Sequence, residues 1–513
     1  MPRQRDVLPL PLPFPRSGPL PETLGRLMRV SHSAEGWRSW CNEGVSTLNR
    51  LYGGSRGPRS APNFAQQVSL EHLAELFKDV GPPPPDLSPA LAFTELTREA
   101  LPYASNVGAP VPFESGRVSL PEGGATLVRL ADVLPSEHLD LLSEGSGLLL
   151  NPDFGPDKFF DFHPFHDAAF RRPRIYAAFL GEIRERDLVE WQVGGPSFLG
   201  AFFVPKKDGK LRLILDTRGV NEAFLPPPRV RLPTAAALTA VEAIRGQEIF
   251  FSGGDIDNCF YRFEAPDVAK PFFTLPGIRA RHLGVDVCKR DGLDPASWIV
   301  PRLRALPMGW SWSLWFAQVS HEEVGRRVGQ HDGTAIQDRS VPRPLSLGGA
   351  LHAKYVDNFL VCGHSPGEVQ RGANSLETAL SEAGLAVHEG FGPSVRATFA
   401  GIELDGERQT ARVAKKRVWK LRLACDLILD ARSISGAALE VLIGHFTWAC
   451  LARREALCVL DDAYRFVRAH YLVAAPCGPA WSLRSGLCAP FCRCWCVISV
   501  RLGQVGSRPR TPV

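Results

Sequence analysis

The chain has 513 residues, with 59 Lys and Arg against 54 Asp and Glu, 44% apolar residues and 22% charged ones. That balance describes a globular chain long enough for about three domains and excludes a wholly disordered one. No run of about 18 apolar residues occurs, which excludes a membrane-spanning helix, and a net charge of +5 is too small to demonstrate a nucleic-acid partner by itself.

The N-terminus leads into Leu8-Pro9-Leu10-Pro11-Leu12-Pro13-Phe14-Pro15. Proline at alternate positions prevents the helical apolar region of a secretory signal, so an intracellular chain, cytoplasmic or nuclear, is expected. Residues 1–165 read as a Pro/Gly-rich extension, partly disordered, with a short helix around 37–52. A better helix over 66–80 has Leu70, Leu73, Leu76, Phe77 and Val80 on one face and stops at Pro82-Pro83-Pro84-Pro85. The stretch 86–165 shows weak periodicity and many turn signals.

From about 166 to 405, short strands and helices alternate. Phe202–Val204 and Leu211–Leu215 flank Lys207-Asp208-Gly209-Lys210, a hairpin signal. Ile249–Ile256 reads as a strand ending in an acidic group, Leu314–Val324 as a helix, and 351–356 and 359–362 as strands joined at Asp357-Asn358. A helix follows over 368–383 with Ala373, Leu376 and Leu380 inward, then a strand over 398–404. Residues 415–471 read as wholly helical, with Val418, Leu421, Cys425 and Ile428, then Leu439, Leu442, Ile443 and Phe446, as the buried stripes. The tail 473–513 has no coherent periodicity and holds five of the twelve cysteines. Cys492, Cys494 and Cys496 alternate rather than keep zinc-ligand gaps, and no histidine follows His470, so neither a zinc site nor disulfides are expected.

Two acidic positions carry the chemistry. Asp255 ends an apolar strand, and Asp357 sits at the tip of a tight hairpin. Alone, each reads as a strand-end cap or an ordinary turn residue. Brought together by a sheet, two such carboxylates can hold a pair of Mg²⁺ ions about 3.5–4 Å apart, as nucleotidyl transfer requires.

The neighbours change the weighing. Gly200–Asn221, Gly254–Phe263, Leu306–Ser313, Tyr355-Val356-Asp357-Asn358, Ala383–Gly390 and Phe399-Ala400-Gly401-Ile402 stand in order over residues 170–405. In that order they resemble the motifs of reverse transcriptases of the retroviral and LTR-retrotransposon kind. The resemblance implies an α+β right-hand polymerase fold, with fingers and palm over 166–405 and a helical thumb over 406–472. It implies RNA or DNA template-primer and dNTPs as partners, two Mg²⁺ ions (Mn²⁺ as an alternative) and no membrane; no oligomeric state follows. Asp255 and Asp357 would be the metal ligands. Lys206 or Lys207, with Arg212, would grip the triphosphate, Phe260 would lie under the sugar and favour deoxynucleotides, and Gly309 would allow close approach of template and nucleotide. Asp216, Arg218 and Asn221 match the hairpin motif as structural residues. Lys415, Lys416, Arg417 and Lys420 would meet the duplex backbone.

Three departures stand out. Asn358 replaces the second Asp of the family's Tyr-x-Asp-Asp box, at the cost of one negative charge and some metal affinity. Met308 replaces Gln, and Leu314 replaces Pro. Trp310, Trp312 and Trp315 crowd the same stretch, where buried packing is favoured over base stacking. No protease, RNase H or integrase signature accompanies the polymerase motifs, so the chain reads as the polymerase core of a mobile-element polyprotein. The rival reading is a degenerate polymerase fold that binds nucleic acid without catalysis.

Overall fold

The computed structural model describes residues 82–98, 110–124, 126–143, 147–155, 162–206, 208–431, 433–452, 457, 460–476, 499–501 and 503–505. The helices expected around 37–52 and over 66–80, and the cysteines of the tail, lie outside these residues. The described residues fall into two units: one takes those within 106–400, 404–409 and 502–513, the other those up to 105, 401–403 and 410–501. The described residues between 110 and 155 therefore belong to the larger unit. Phe113, Val118, Leu127, Val128, Leu130, Val133 and Leu149 are buried in the same apolar core as the elements after 166. Their weak periodicity has a physical reason: much of this segment attaches through isolated bridges, such as Val111 to Phe203 and Val118 to Leu211, rather than through regular elements.

In the larger unit, α1 (Pro173–Glu185) opens with proline in its first turn and buries Tyr176, Phe179, Leu180 and Ile183, one face of a helix. Then come β1 (Val189–Val193), β2 (Gly200–Pro205), β3 (Leu211–Asp216), β4 (Phe250–Ile256) and β5 (Trp298–Leu303). After them lie α2 (Ser311–Arg327), β6 (Leu351–Tyr355), β7 (Asn358–Gly363), α3 (Pro366–Glu382) and β8 (Val387–Ser394). β2 and β3 form the hairpin the sequence predicts. Lys206 N donates to Lys210 O at 2.8 Å, and Gly209 takes the φ of +79° that its turn needs. β1 pairs antiparallel with β5. The main sheet is antiparallel throughout, in the order β8-β4-β7-β6.

α3 covers this sheet. Ser365 caps it by accepting from Glu368 N, and Val369, Ala373, Leu376 and Leu380 are buried. Each large side chain so buried contributes about 1.5–3 kcal/mol. α2 is buried on nearly every side, which is why its periodicity is weak.

In the smaller unit, α4 (Lys415–Ala431), α5 (Gly436–Cys450) and α6 (Asp461–Ala469) accompany the helix Pro89–Arg98. Leu421, Cys425 and Ile428, and Leu439, Leu442, Ile443 and Phe446, are buried as their spacing predicts, while Val418 is half-buried. His445 Nε2 lies 3.0 Å from Leu96 O.

Two expectations need correction. The strand over 398–404 is broken: Arg396–Phe399 and Ile402–Asp405 flank Ala400 and Gly401, both left-handed at φ +47° and +78°. The tail contributes short strands at Ser499–Arg501 and Gly503–Val505, the latter parallel to Glu242–Ile244. Among the described residues no helix is long and apolar enough to cross a membrane.

Candidate active site

β4 lies inside the main sheet, and Asp255 is near its end. Across one ladder Asp255 faces Asn358 of β7; across the other it faces His388 of β8. Ile256 N donates to Asp357 O at 2.9 Å, which ties the two acidic segments together. β7 runs close to β4 because Gly253 has no side chain; a Cβ there would stand 2.2 Å from Phe359 O.

Asp357 follows Val356, whose φ of +58° is rarely adopted by a β-branched residue. Two buried side chains of α2 hold that turn. Gln318 donates to Lys354 O at 3.0 Å and accepts from Val356 N at 2.7 Å. His321 Nδ1 lies 2.9 Å from Val356 O. Burial and the nearby Lys354 charge push the His321 pKa down to about 3, so it is neutral here and Nδ1–H donates to the carbonyl.

The site concentrates negative charge in a poorly solvated place. Burial, and then the charge of Asp357, raise the Asp255 pKa to about 7. Asp255 Oδ1 is shielded from solvent and has no hydrogen-bond partner. Burial raises the Asp357 pKa as well, opposed by the hydrogen bond from Asn358 Nδ2 to its Oδ1 at 2.8 Å and by the charge of Arg212. Asn358 thus acts as a donor to its neighbour, where a carboxylate would add charge. The Cys259 thiol is driven well up, chiefly by burial and then by Asp357 and Asp255.

The surrounding residues take distinct places. Leu211, Leu213 and Leu215 are buried and Arg212 only half-buried, as strand alternation predicts, and its charge acts on Asp357. Lys206 Nζ reaches Ser119 Oγ at 3.1 Å, and Ser119 Oγ reaches Asn258 Oδ1 at 3.4 Å, which links the hairpin to the end of β4. Lys207 lies outside the described residues. Phe260 is half-buried against the core. Gly309 has φ +117°, and a Cβ would meet Thr217 Oγ1 at 2.9 Å. Asn221 clamps this turn by donating to Gly309 O at 3.0 Å and accepting from Ser311 N at 2.9 Å. Asp216 accepts from Phe165 N and pairs with Arg218. Trp310, Trp312 and Trp315 are buried with Phe224, Phe273 and Phe316, so they pack rather than offer faces to a base.

In the smaller unit the four basic candidates differ among themselves. Lys420 pairs with Glu95 at 2.8 Å, and the Arg417 guanidinium lies 4.5 Å from the Trp448 ring centroid. Lys416 is exposed and Lys415 half-buried.

Sequence reasoning missed Gln318, His321, His388 and Glu389. Polar residues inside an apolar helix signalled the first two. The second pair had no periodic signal, because it sits at an irregularity of β8.

No family model and no curated protein matches the chain. Among solved structures it is similar to the foamy viral protease-reverse transcriptase in complex with RNA/DNA hybrid. That match has a TM-score of 0.44 and 15% identity over 67% of this chain and 39% of that one. It is also similar to the foamy viral protease-reverse transcriptase in complex with dsDNA, with a TM-score of 0.44 and 16% identity over 68% of this chain and 60% of that one. The chain spans less than two thirds of either of these structures' chains.

Proposed function

We propose that the chain is a template-directed nucleotidyltransferase with a right-hand polymerase arrangement, extending a primer 3′-hydroxyl with dNTPs on an RNA or DNA template in a retrotransposon context. The observation that carries this reading is the meeting of Asp255 and Asp357 at adjacent strand ends, with the Arg212 charge acting on Asp357. A buried carboxylate oxygen without a partner, beside a second carboxylate, suits a hard divalent cation.

In this reading Asp255 and Asp357 hold the metals, two Mg²⁺ or Mn²⁺ ions. When bound, such ions lower the pKa of the attacking hydroxyl and stabilise the leaving pyrophosphate. Arg212 and Lys206 bind the triphosphate, and Phe260 supports the sugar and crowds a 2′-hydroxyl. Asn221 fixes the Gly309 turn against which template and nucleotide lie. The primer oxygen attacks the α-phosphorus, the bond to the bridging oxygen breaks, and pyrophosphate departs. Catalysis is then mostly positioning and charge. A second reading, a nucleic-acid binder without catalysis, is favoured by Asn358, which removes one ligand charge, and by Met308 in place of Gln.

The test is primer extension by the full chain on poly(rA)/oligo(dT) with dTTP and Mg²⁺ or Mn²⁺. Extension abolished by Asp255→Ala is the expected result. Extension only after Asn358→Asp means an intact fold with a disabled box. Salt-sensitive duplex binding without extension in either protein supports the binder.

A further inference from the structure

We infer that His388 and Glu389 complete a metal site with Asp255 and that this site selects Mn²⁺ over Mg²⁺. The inference rests on the proposed function only for the role of Asp255 as a ligand. Donor atoms of Asp255, His388 and Glu389 all lie within 4.8 Å of one another.

Three features aim these groups at one point. The first is a β-bulge. His388 faces Asp255 and Phe391 faces Gly253, so β8 spends one more residue than β4 over this interval. In a regular strand His388 and Glu389 would point to opposite faces. The bulge, with Glu389 left-handed at φ +52°, breaks that alternation and brings both side chains to Asp255.

The second is the setting of the imidazole. His388 Nδ1 lies 3.1 Å from the Asp255 main-chain oxygen, an acceptor only. Nδ1 therefore carries a proton in that bond, which leaves Nε2 as the nitrogen placed to meet a metal. Metal-binding histidines are commonly held this way, by a backbone carbonyl on the other nitrogen. Nε2 stands 3.9 Å from Glu389 Oε1, too long for a good hydrogen bond.

The third is the buried Asp255 Oδ1, which has no partner. A cation bound by the Asp255 carboxylate would give it one. Meanwhile Asn358 occupies Asp357 Oδ1, so the box supplies less charge than two aspartates would. Glu389 restores the missing carboxylate from the opposite strand. An imidazole in the set disfavours Mg²⁺, which prefers oxygen and water; among the transition metals that accept nitrogen, the two carboxylates beside it suit the oxygen-preferring Mn²⁺.

The test is calorimetric titration of the metal-free full chain with Mn²⁺ and with Mg²⁺, alongside pulsed EPR of the Mn²⁺ complex. His388→Gln, Glu389→Gln and Asp255→Asn are compared, with thermal melts to check folding. Mn²⁺ should bind at least about tenfold tighter than Mg²⁺, and Glu389→Gln should weaken Mn²⁺ about tenfold. The EPR spectrum should show imidazole nitrogen coupling that His388→Gln removes. Absence of that coupling in the unaltered chain overturns the inference and needs no variant to fold. So does Mn²⁺ binding unchanged in both His388→Gln and Glu389→Gln. Nitrogen coupling without primer extension would leave the metal site standing and sink the polymerase reading. Extension in Mg²⁺ without nitrogen coupling would do the converse.

Discussion

Gln318 grips the main chain on both sides of Tyr355: its amide nitrogen donates to Lys354 O at 3.0 Å and its oxygen accepts from Val356 N at 2.7 Å. The turn that presents Asp357 is thereby fastened to a buried helix. Gln318→Leu keeps the volume and leaves two buried backbone groups unpaired. It should cost about 2–4 kcal/mol in urea denaturation. Primer extension should fall further than stability, because the displaced turn carries Asp357; equal losses would deny Gln318 a positioning role.

Lys354 is a second liability beneath the same turn. It is buried, 3.0 Å from His352 Nδ1, and faces Glu322 and Arg326 of α2, Asp332 beyond it, and His321. Burial, the largest effect, lowers its pKa from 10.5 to about 7. Below pH 7 the folded chain bears the whole cost of a buried charge. Between about 7 and 10.5 the folded lysine is neutral while the unfolded one is still charged, so stability rises with pH across that window. Lys354→Met should stabilise by about 1–3 kcal/mol at pH 6, with the gain vanishing toward pH 10. Melting curves at both pH values decide; a pH-independent gain would mean that packing, not charge, is responsible.

Phe260 tests sugar selection. It is half-buried at the end of the segment that begins with Asp255. Phe260→Ala should raise incorporation of ribonucleotides relative to deoxynucleotides by about tenfold, a difference of about 1.4 kcal/mol in discrimination. Competition between dTTP and UTP in the extension assay measures it. No change in the ratio, with extension intact, would make Phe260 a packing residue.

Lys416 and Lys420 should part company in binding assays. Lys416 is exposed, whereas Lys420 is engaged with Glu95. Lys416→Ala should lower the slope of log affinity against log salt by about one for duplex binding, with Lys420→Ala leaving the slope nearly unchanged. A melting temperature lowered by Lys420→Ala alone would complete the contrast.

Much of the site was legible because its parts obey local rules. The Lys206–Lys210 turn, the Asp357 hairpin and the α3 stripe each follow from turn chemistry or a single period. The segment 110–150 did not, since its apolar side chains enter the core from irregular backbone held by isolated bridges. The break at Ala400-Gly401 depends on two consecutive left-handed residues, and alanine gives no warning of that. His388 and Glu389 lie inside the Ala383–Gly390 motif, but their meeting with Asp255 was hidden for a related reason. A bulge shifts the face on which every later side chain falls, and the pattern before it carries no trace of the shift.

Asp255 stands on an interior strand, laddered on both sides. Its main chain cannot drift without breaking two sets of hydrogen bonds, and the same holds for β7, whereas β8 lies at the sheet edge and has one ladder to lose. Changes of chemistry in this centre should therefore enter by side-chain exchange at Asn358 on one side, and by backbone as well as side-chain change at His388 and Glu389 on the other. A loss of charge on one flank can be repaired on its opposite, with the middle acid left as the fixed reference point.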